Sequence, residues 1–373
     1  MPRNFTNMID YVQNELDTFG QRDVCRVDSL VFSWLAYFRL PEEVMREAGD
    51  EGLPLKDLFR ADWFVPMCGP LFDTKSSIEL LTSVAASPRF RDVRVSNYVA
   101  HTDEVAEEQF SAMTFHISPR ETFVAFRGTD NTLVGWNEDF NISFRTAIPS
   151  QIEAVNYLGD IATRTEGRIW CGGHSKGGNL AVYAGVMCAP EVRERLVRCF
   201  SHDGPGFSDA TMADPRWADA ARLVDKTIPQ SSIVGMVFER QELEYTVVHS
   251  NASGFSQHDP FSWEVDWRDF VLEDKLALGA NIFDSSINAW LASASYEDRA
   301  RFVNAVFMVI EASGEETFAG IKSNWRTTVP RMAAAVTQLD AQDRDLVMRA
   351  LADVLRTMPG VPSFPGMPRA QGQ

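Results

Sequence analysis

An α/β fold, with a mostly parallel central sheet flanked by helices, is predicted by three observations. The first is a single stretch, residues 168–185. It opens as a buried strand (Ile169, Trp170, Cys171), turns through Gly172 to Gly178, and continues as a helix with Leu180, Ala181, Ala184 and Val186 on a small-residue face. The second is the alternation around it. β-Branched and aromatic runs at 93–100, 109–116 and 122–126 precede the stretch, and further runs at 197–201, 232–238 and 244–248 follow it. Helical patterns at 152–163 and 214–223 separate them, which is the rhythm of a sheet wound with helices. The third is composition: 373 residues, 45% hydrophobic and 23% charged, suit one large domain with additions or two domains.

In chain order, 5–19 and 27–40 read as amphipathic helices, the second presenting Leu30, Val31, Trp34, Leu35 and Phe38 on one face. Residues 53–64 suit short helical pieces before Pro66, and 78–86 another helix. Beyond 270 the patterns at 281–292, 296–310, 328–339 and 343–358 are amphipathic helices without a chemistry motif. The expected organisation is therefore an N-terminal helical part packed on the core (1–90), the core (91–270), a C-terminal helical region (271–358) and a disordered Pro/Gly-rich tail (359–373).

The chemistry starts at Gly173-His174-Ser175-Lys176-Gly177. Gly-x-Ser-x-Gly between a strand and a helix is a nucleophile elbow: the serine sits in a strained turn that aims its hydroxyl outward. Strand and helix then approach so closely that Gly173 and Gly177 leave no room for side chains. A phosphate-binding loop would need Gly-Lys-Ser/Thr, and here the order is Ser-Lys-Gly. Upstream, Phe126-Arg127-Gly128-Thr129 closes a strand, with Trp136 and Asp139 beyond it. Ahead of an elbow this is where an α/β-hydrolase supplies an oxyanion donor, so the amides of Thr129 and Lys176 are the expected pair. The Lys176 side chain would be either solvated or directed to an acidic substrate group.

Phe126-Arg-Gly-Thr, Trp136, Asp139 and the elbow resemble class 3, fungal-type lipases of the α/β-hydrolase superfamily. The resemblance is closer to a group of bacterial lipase-like proteins with Gly-His-Ser-Lys-Gly-Gly-Asn, Asp-Gly-Pro-Gly and Gln-His-Asp-Pro, present here as 173–179, 203–206 and 257–260. It covers roughly residues 20–270. It implies an α/β-hydrolase fold and a serine esterase. The chain departs from the class 3 pattern at one place: where that family carries the triad acid in Asp-Ile-Val-Pro, this sequence reads Ser232-Ile233-Val234-Gly235.

The acid is therefore placed at Asp203, at the end of the strand after the elbow helix, with Asp259 and Glu239 as runners-up. Of the histidines downstream, His249 suits a half-buried structural role, whereas His258 lies in a loop able to reach the serine. The order Ser175, Asp203, His258 is that of the fold. His174 and His202 are expected to pack or to orient loops. Residues 140–150 occupy the lid position of related lipases, as a cover or as an ordinary connection.

A net charge of −17 repels nucleic-acid phosphates and anionic headgroups, so nucleic acid is excluded as a general partner. No run is long and apolar enough to span a bilayer, and no signal-peptide pattern opens the chain. Five scattered cysteines (Cys25, Cys68, Cys171, Cys188, Cys199) suit reduced thiols and a cytoplasmic setting. The expected function is hydrolysis of a small-molecule or lipid carboxylic ester through an acyl-enzyme, with no metal or organic cofactor. The alternatives are a catalytically silent hydrolase fold used for binding, and an acyltransferase or thioesterase.

Overall fold

The computed structural model describes residues 4–129 except 50, 70, 72 and 104–107, residues 147–276 except 208, 233, 236–243, 253 and 275, and short pieces between 295 and 348. The long strands form where aromatic and β-branched residues alternate. β3 (Arg94–Asp103), β4 (Glu108–Ser118) and β5 (Glu121–Phe126) make an antiparallel meander, extended at its edge by the short β2 (Leu53–Pro54). From β5 the sheet turns parallel through β6 (Arg168–His174), β7 (Leu196–His202), β8 (Val224–Pro229) and β9 (Tyr245–Val248). The antiparallel β12 (Leu272–Glu273) closes the far edge of nine strands, in the order β12-β9-β8-β7-β6-β5-β4-β3-β2. A separate three-stranded sheet joins β1 (Asn4–Phe5), β10 (Val265–Asp266) and β11 (Asp269–Phe270).

Helices cover both faces. On one face lie α1 (Met8–Asn14), α2 (Arg26–Leu35) and α5 (Thr74–Ala86), with α3 (Glu42–Ala48) and α4 (Ala61–Cys68) between the last two in sequence. α2 is buried nearly all round, from Val27 to Leu35, polar residues included. Its Phe32 ring packs 4.8 Å from Phe115 and 4.9 Å from Phe123 of the sheet. Its first turn carries Asp28, fully buried but compensated: it accepts from Tyr11, from the Cys25 amide and from the guanidinium of Arg89. On the other face, helix Pro149–Arg164, the elbow helix Lys176–Met187 and helix Arg216–Ala220 enclose a second core around Val124, Ile169, Leu180 and Trp217. The result is an α/β three-layer arrangement.

Three local features differ from the sequence reading. β8 lies ahead of the strand expected at 232–238; of that span Ser232, Val234 and Gly235 lie in the turn after β8, and 233 and 236–238 lie outside the described residues. Asp225 and Lys226 disguise β8 as polar; in the fold Asp225 pairs with Arg26 at 2.8 Å, and Lys226 Nζ donates to the Gly235 carbonyl at 2.9 Å. Pro66 sits inside α4 instead of ending the helical pieces, and α3 had no counterpart in the reading. The expected helix at 328–339 is Trp325–Val336. Residues 281–292 and the tail 359–373 lie outside the described residues, and 296–310 and 343–358 are described only in part.

Candidate active site

β6 ends at His174 and the elbow helix begins at Lys176, so Ser175 alone makes the reversal. Its backbone sits at φ 59°, ψ −133°, a conformation that a serine adopts only when its surroundings impose it. The imposing contacts are visible. The Ser175 amide donates to the His202 carbonyl at 2.9 Å, and its own carbonyl accepts from the Gly178 amide at 2.9 Å. A Cβ on Gly173 would stand 2.7 Å from the Gly177 Cα, and one on Gly177 would stand 2.9 Å from the backbone of Arg127 and Gly128. The two motif glycines are thus crossing points of strand, helix and the β5 exit.

Asp203 follows β7 directly, also in the left-handed region at φ 52°, with its amide donating to the Thr227 carbonyl of β8 at 2.7 Å. The side chain is wholly buried. One carboxylate oxygen, Oδ2, lies 2.6 Å from His258 Nδ1. The other, Oδ1, accepts from the Ser232 hydroxyl and from the Gly235 amide at 3.1 Å. So the structure brings together the two residues expected as acid and base. It also shows what stands at the departure from the class 3 pattern: Ser232 donates to the carboxylate instead of supplying one.

His258 closes the short 3-10 turn Gly254–His258, which is held from both sides. Gln257 Oε1 accepts from the Ser231 amide at 2.8 Å, and the Gln257 carbonyl accepts from the Trp263 indole at 2.7 Å. The runner-up Asp259 has another task. Its carboxylate caps the turn Pro260–Ser262, accepting from the Phe261 amide at 3.0 Å, and burial pushes its pKa up to about 6. Glu239 lies outside the described residues. His249 is at the sheet edge, where Nδ1 bonds Glu273 at 2.7 Å.

The other polar residues of the elbow motif reach outward. Lys176 is neither solvated nor aimed at a substrate: its side chain is 1% exposed and Nζ donates to the Gln109 carbonyl of β4 at 2.7 Å. Asn179 is fully buried; its amide donates to the carbonyls of Pro205 (3.2 Å) and Gly206 (3.0 Å), and its Oδ1 accepts from Gln151 at 2.8 Å. That fixes the loop Asp203-Gly-Pro-Gly to the elbow helix. His174 Nε2 lies 2.9 Å from the His258 carbonyl, and Nδ1 lies 3.1 Å from the Tyr37 hydroxyl. Sequence reading did not find Ser232, Gly235, Asn179 or Tyr37 as contributors. For Asn179 a signal existed, since it completes the Gly-His-Ser-Lys-Gly-Gly-Asn motif.

Burial governs the ionisable neighbours. His202, with Nε2 2.9 Å from Ser29 Oγ, is pushed down to about 3 by desolvation and, secondarily, by the charge of Arg26. His174 is held well below the usual range by burial, then by the charge of His258. Lys226 is lowered to about 7 by burial, against the pull of Asp203.

On the oxyanion side, a Cβ on Gly128 would stand 3.1 Å from Ser175 Cβ and 2.6 Å from the His174 carbonyl, so the Arg127-Gly128-Thr129 exit of β5 runs against the serine. Residues 130–146, including Trp136, Asp139 and most of the expected lid segment, lie outside the described residues. Among the described residues no helix is long and apolar enough to cross a membrane.

Among solved structures the chain is similar to the lipase–propeptide complex of Rhizomucor miehei, at 12% identity over 56% of this chain and 68% of that one, TM-score 0.32. It is similar also to a fungal lipase–inhibitor complex (12%; 56% and 84%; 0.33) and to M37 lipase (14%; 56% and 67%; 0.32). No curated protein matches. The sequence profile of the Mbeg1-like family matches residues 84–308, the stretch that carries the sheet from β3 onward, Ser175, Asp203 and His258. That is more than half of the chain, and the chain belongs to the Mbeg1-like family.

Proposed function

We propose that the protein hydrolyses carboxylic esters through an acyl-enzyme on Ser175. The observations that carry this reading are the bond between Asp203 Oδ2 and His258 Nδ1 and the elbow conformation of Ser175, the residue after His174, whose ring lies 4.6 Å from that of His258. A carboxylate oxygen can only accept, so Nδ1 bears the proton and Nε2 is the basic nitrogen. In the proposed cycle Nε2 takes the Ser175 proton as Oγ attacks the ester carbonyl. The imidazolium returns that proton to the leaving alkoxide, whose C–O bond breaks to leave the acyl-serine. Water, deprotonated by the same nitrogen, then releases the acid and restores Ser175. Asp203 holds the tautomer and stabilises the imidazolium.

The oxyanion would meet the amide of Lys176, at the N-terminus of a twelve-residue helix, and the amide of Thr129. Each such donor is worth about 3 kcal/mol of barrier when removed. A p-nitrophenyl ester series of increasing acyl length tests the proposal. Turnover is expected in the wild type and absent in Ser175→Ala and His258→Ala; equal turnover in all three would refute it.

A further inference from the structure

We propose that His174, the residue preceding the nucleophile, is a positioning residue that sets the place of His258 by holding its main chain. This rests on the reading of His258 as the base. His174 is 3% exposed, and its ring is wedged between the candidate base and α2's exit. The ring centroids of His174 and His258 are 4.6 Å apart, with planes 34° from parallel. Trp34 and Trp263 meet the His174 ring edge-on at 6.0 and 6.3 Å.

The hydrogen bonds dictate the tautomer. The His258 carbonyl has no proton, so at 2.9 Å His174 Nε2 must be the donor. Nδ1 is then an acceptor, and the Tyr37 hydroxyl proton lies between it and the His174 carbonyl, at 3.1 and 3.2 Å. The His258 carbonyl thus selects the Nε2–H form, in which Nδ1 can accept from Tyr37, and that form grips the peptide of His258. Ser175 and His174 are adjacent, so one element fixes the nucleophile by its backbone and the base loop by a side chain. Any drift of the elbow carries the base loop with it.

His258 is bonded at its ring, through Nδ1 to Asp203, and its turn is held through Gln257. The bond from His174 to the His258 carbonyl adds a point on the main chain of His258 itself. Gly128 lies against the Tyr37 hydroxyl and the His174 carbonyl, so the exit of β5 meets the same corner of the site.

Two substitutions separate positioning from packing. His174→Phe keeps a flat ring and loses the donor; His174→Gln loses the ring but can place an N–H near the position of Nε2. With both variants folded by circular dichroism, His174→Phe is expected to lower kcat about 10- to 100-fold on the best p-nitrophenyl ester with KM within about twofold, the scale expected for a displaced catalytic group. His174→Gln is expected to return to within about fivefold of wild type. A second readout needs no substrate: the far-downfield proton NMR signal of the Asp203–His258 bond, assigned by its loss in His258→Ala, should broaden or vanish in His174→Phe and persist in His174→Gln. Unchanged kcat and signal in His174→Phe, or equal losses in both variants, would overturn the proposal. A wild type that turns over no ester would refute the hydrolase reading alone, and the NMR comparison would still decide the role of His174.

Discussion

The turn after β7 and the turn after β8 lie against each other at the end of the sheet, and they differ in what they contribute. The first carries Asp203, buried and in a left-handed backbone conformation. The second, which in class 3 lipases would carry the acid, instead offers the Ser232 hydroxyl and the Gly235 amide to Asp203 Oδ1. Its Gly235 carbonyl is in turn held by Lys226 from within β8. On the proposed reading, then, the place of the acid follows from proximity to His258 Nδ1 and not from position in a sequence pattern. Here the carboxylate reaches Nδ1 from the end of β7, and the neighbouring turn supplies the donors for its second oxygen. Without them a buried carboxylate would bear an unmet desolvation cost of several kcal/mol.

Exchanging the roles of the two turns tests this comparison most severely. Asp203→Asn should reduce kcat on a p-nitrophenyl ester by about 10⁴-fold, because an amide can stabilise the wrong tautomer and cannot stabilise the imidazolium. Adding Ser232→Asp, which places the carboxylate on the other turn, should recover at least about tenfold of that loss. No recovery in a folded double variant would mean that the second turn cannot reach His258.

A smaller break comes from Gly235→Ala. A Cβ there would stand 2.7 Å from Ile228 Cγ2 and against Asp203 Oδ1. Overpacking of this kind costs about 1–3 kcal/mol, so the denaturation midpoint should fall, and kcat should fall with it as the carboxylate shifts. Ser232→Ala removes one donor to a buried charge, worth about 1.5–3 kcal/mol, and should lower kcat about tenfold while KM stays the same. If that variant keeps wild-type kcat, the hydroxyl has no part in holding the acid.

The two strands also differ in the pH window in which a buried group titrates. His202 at the end of β7 has a folded pKa of about 3, below its ordinary value of 6.5. The unfolded chain therefore binds the proton first, and stability from this group is full above pH 6.5 and is lost as pH falls towards 3. Lys226 in β8, lowered from 10.5 to about 7, behaves with the same sign in a higher window: its contribution is full above pH 10.5 and is lost as pH falls to 7. Each group contributes at most about 1.4 kcal/mol per pH unit. Urea unfolding at pH 7 and pH 5 should show a loss in the wild type that shrinks in His202→Gln; an equal loss in both would assign it to other groups.

Much of the fold was legible where residue type and environment agree. The runs behind β5 and β6 are apolar or aromatic because both faces of the sheet are covered there, β3, β4 and β7 mix such residues with polar ones, and the elbow is legible because only glycine fits at Gly173 and Gly177. β8 was hidden because Asp225 and Lys226 read as surface residues until Arg26 and the Gly235 carbonyl are seen beside them. Asp203 and His258 could be proposed from chain order, and their bond joins residues 55 apart that no local pattern links. Ser232 looked like a loss because a sequence shows the missing carboxylate but not the oxygen to which its replacement donates. Lys176 was misread for the reason that hides β8: a lysine whose amine finds a backbone carbonyl can be buried at 1% exposure.

The roles of Ser175 and Asp203 are read most directly from the rate at which a fluorophosphonate probe labels the purified protein, with the adduct mapped by mass spectrometry, in wild type, Asp203→Asn and Asp259→Asn. The expected adduct is on Ser175, slowed by about three to four orders of magnitude in Asp203→Asn and nearly unaffected in Asp259→Asn. Labelling that survives Asp203→Asn unchanged, or that Asp259→Asn abolishes while the protein remains folded, would contradict those roles.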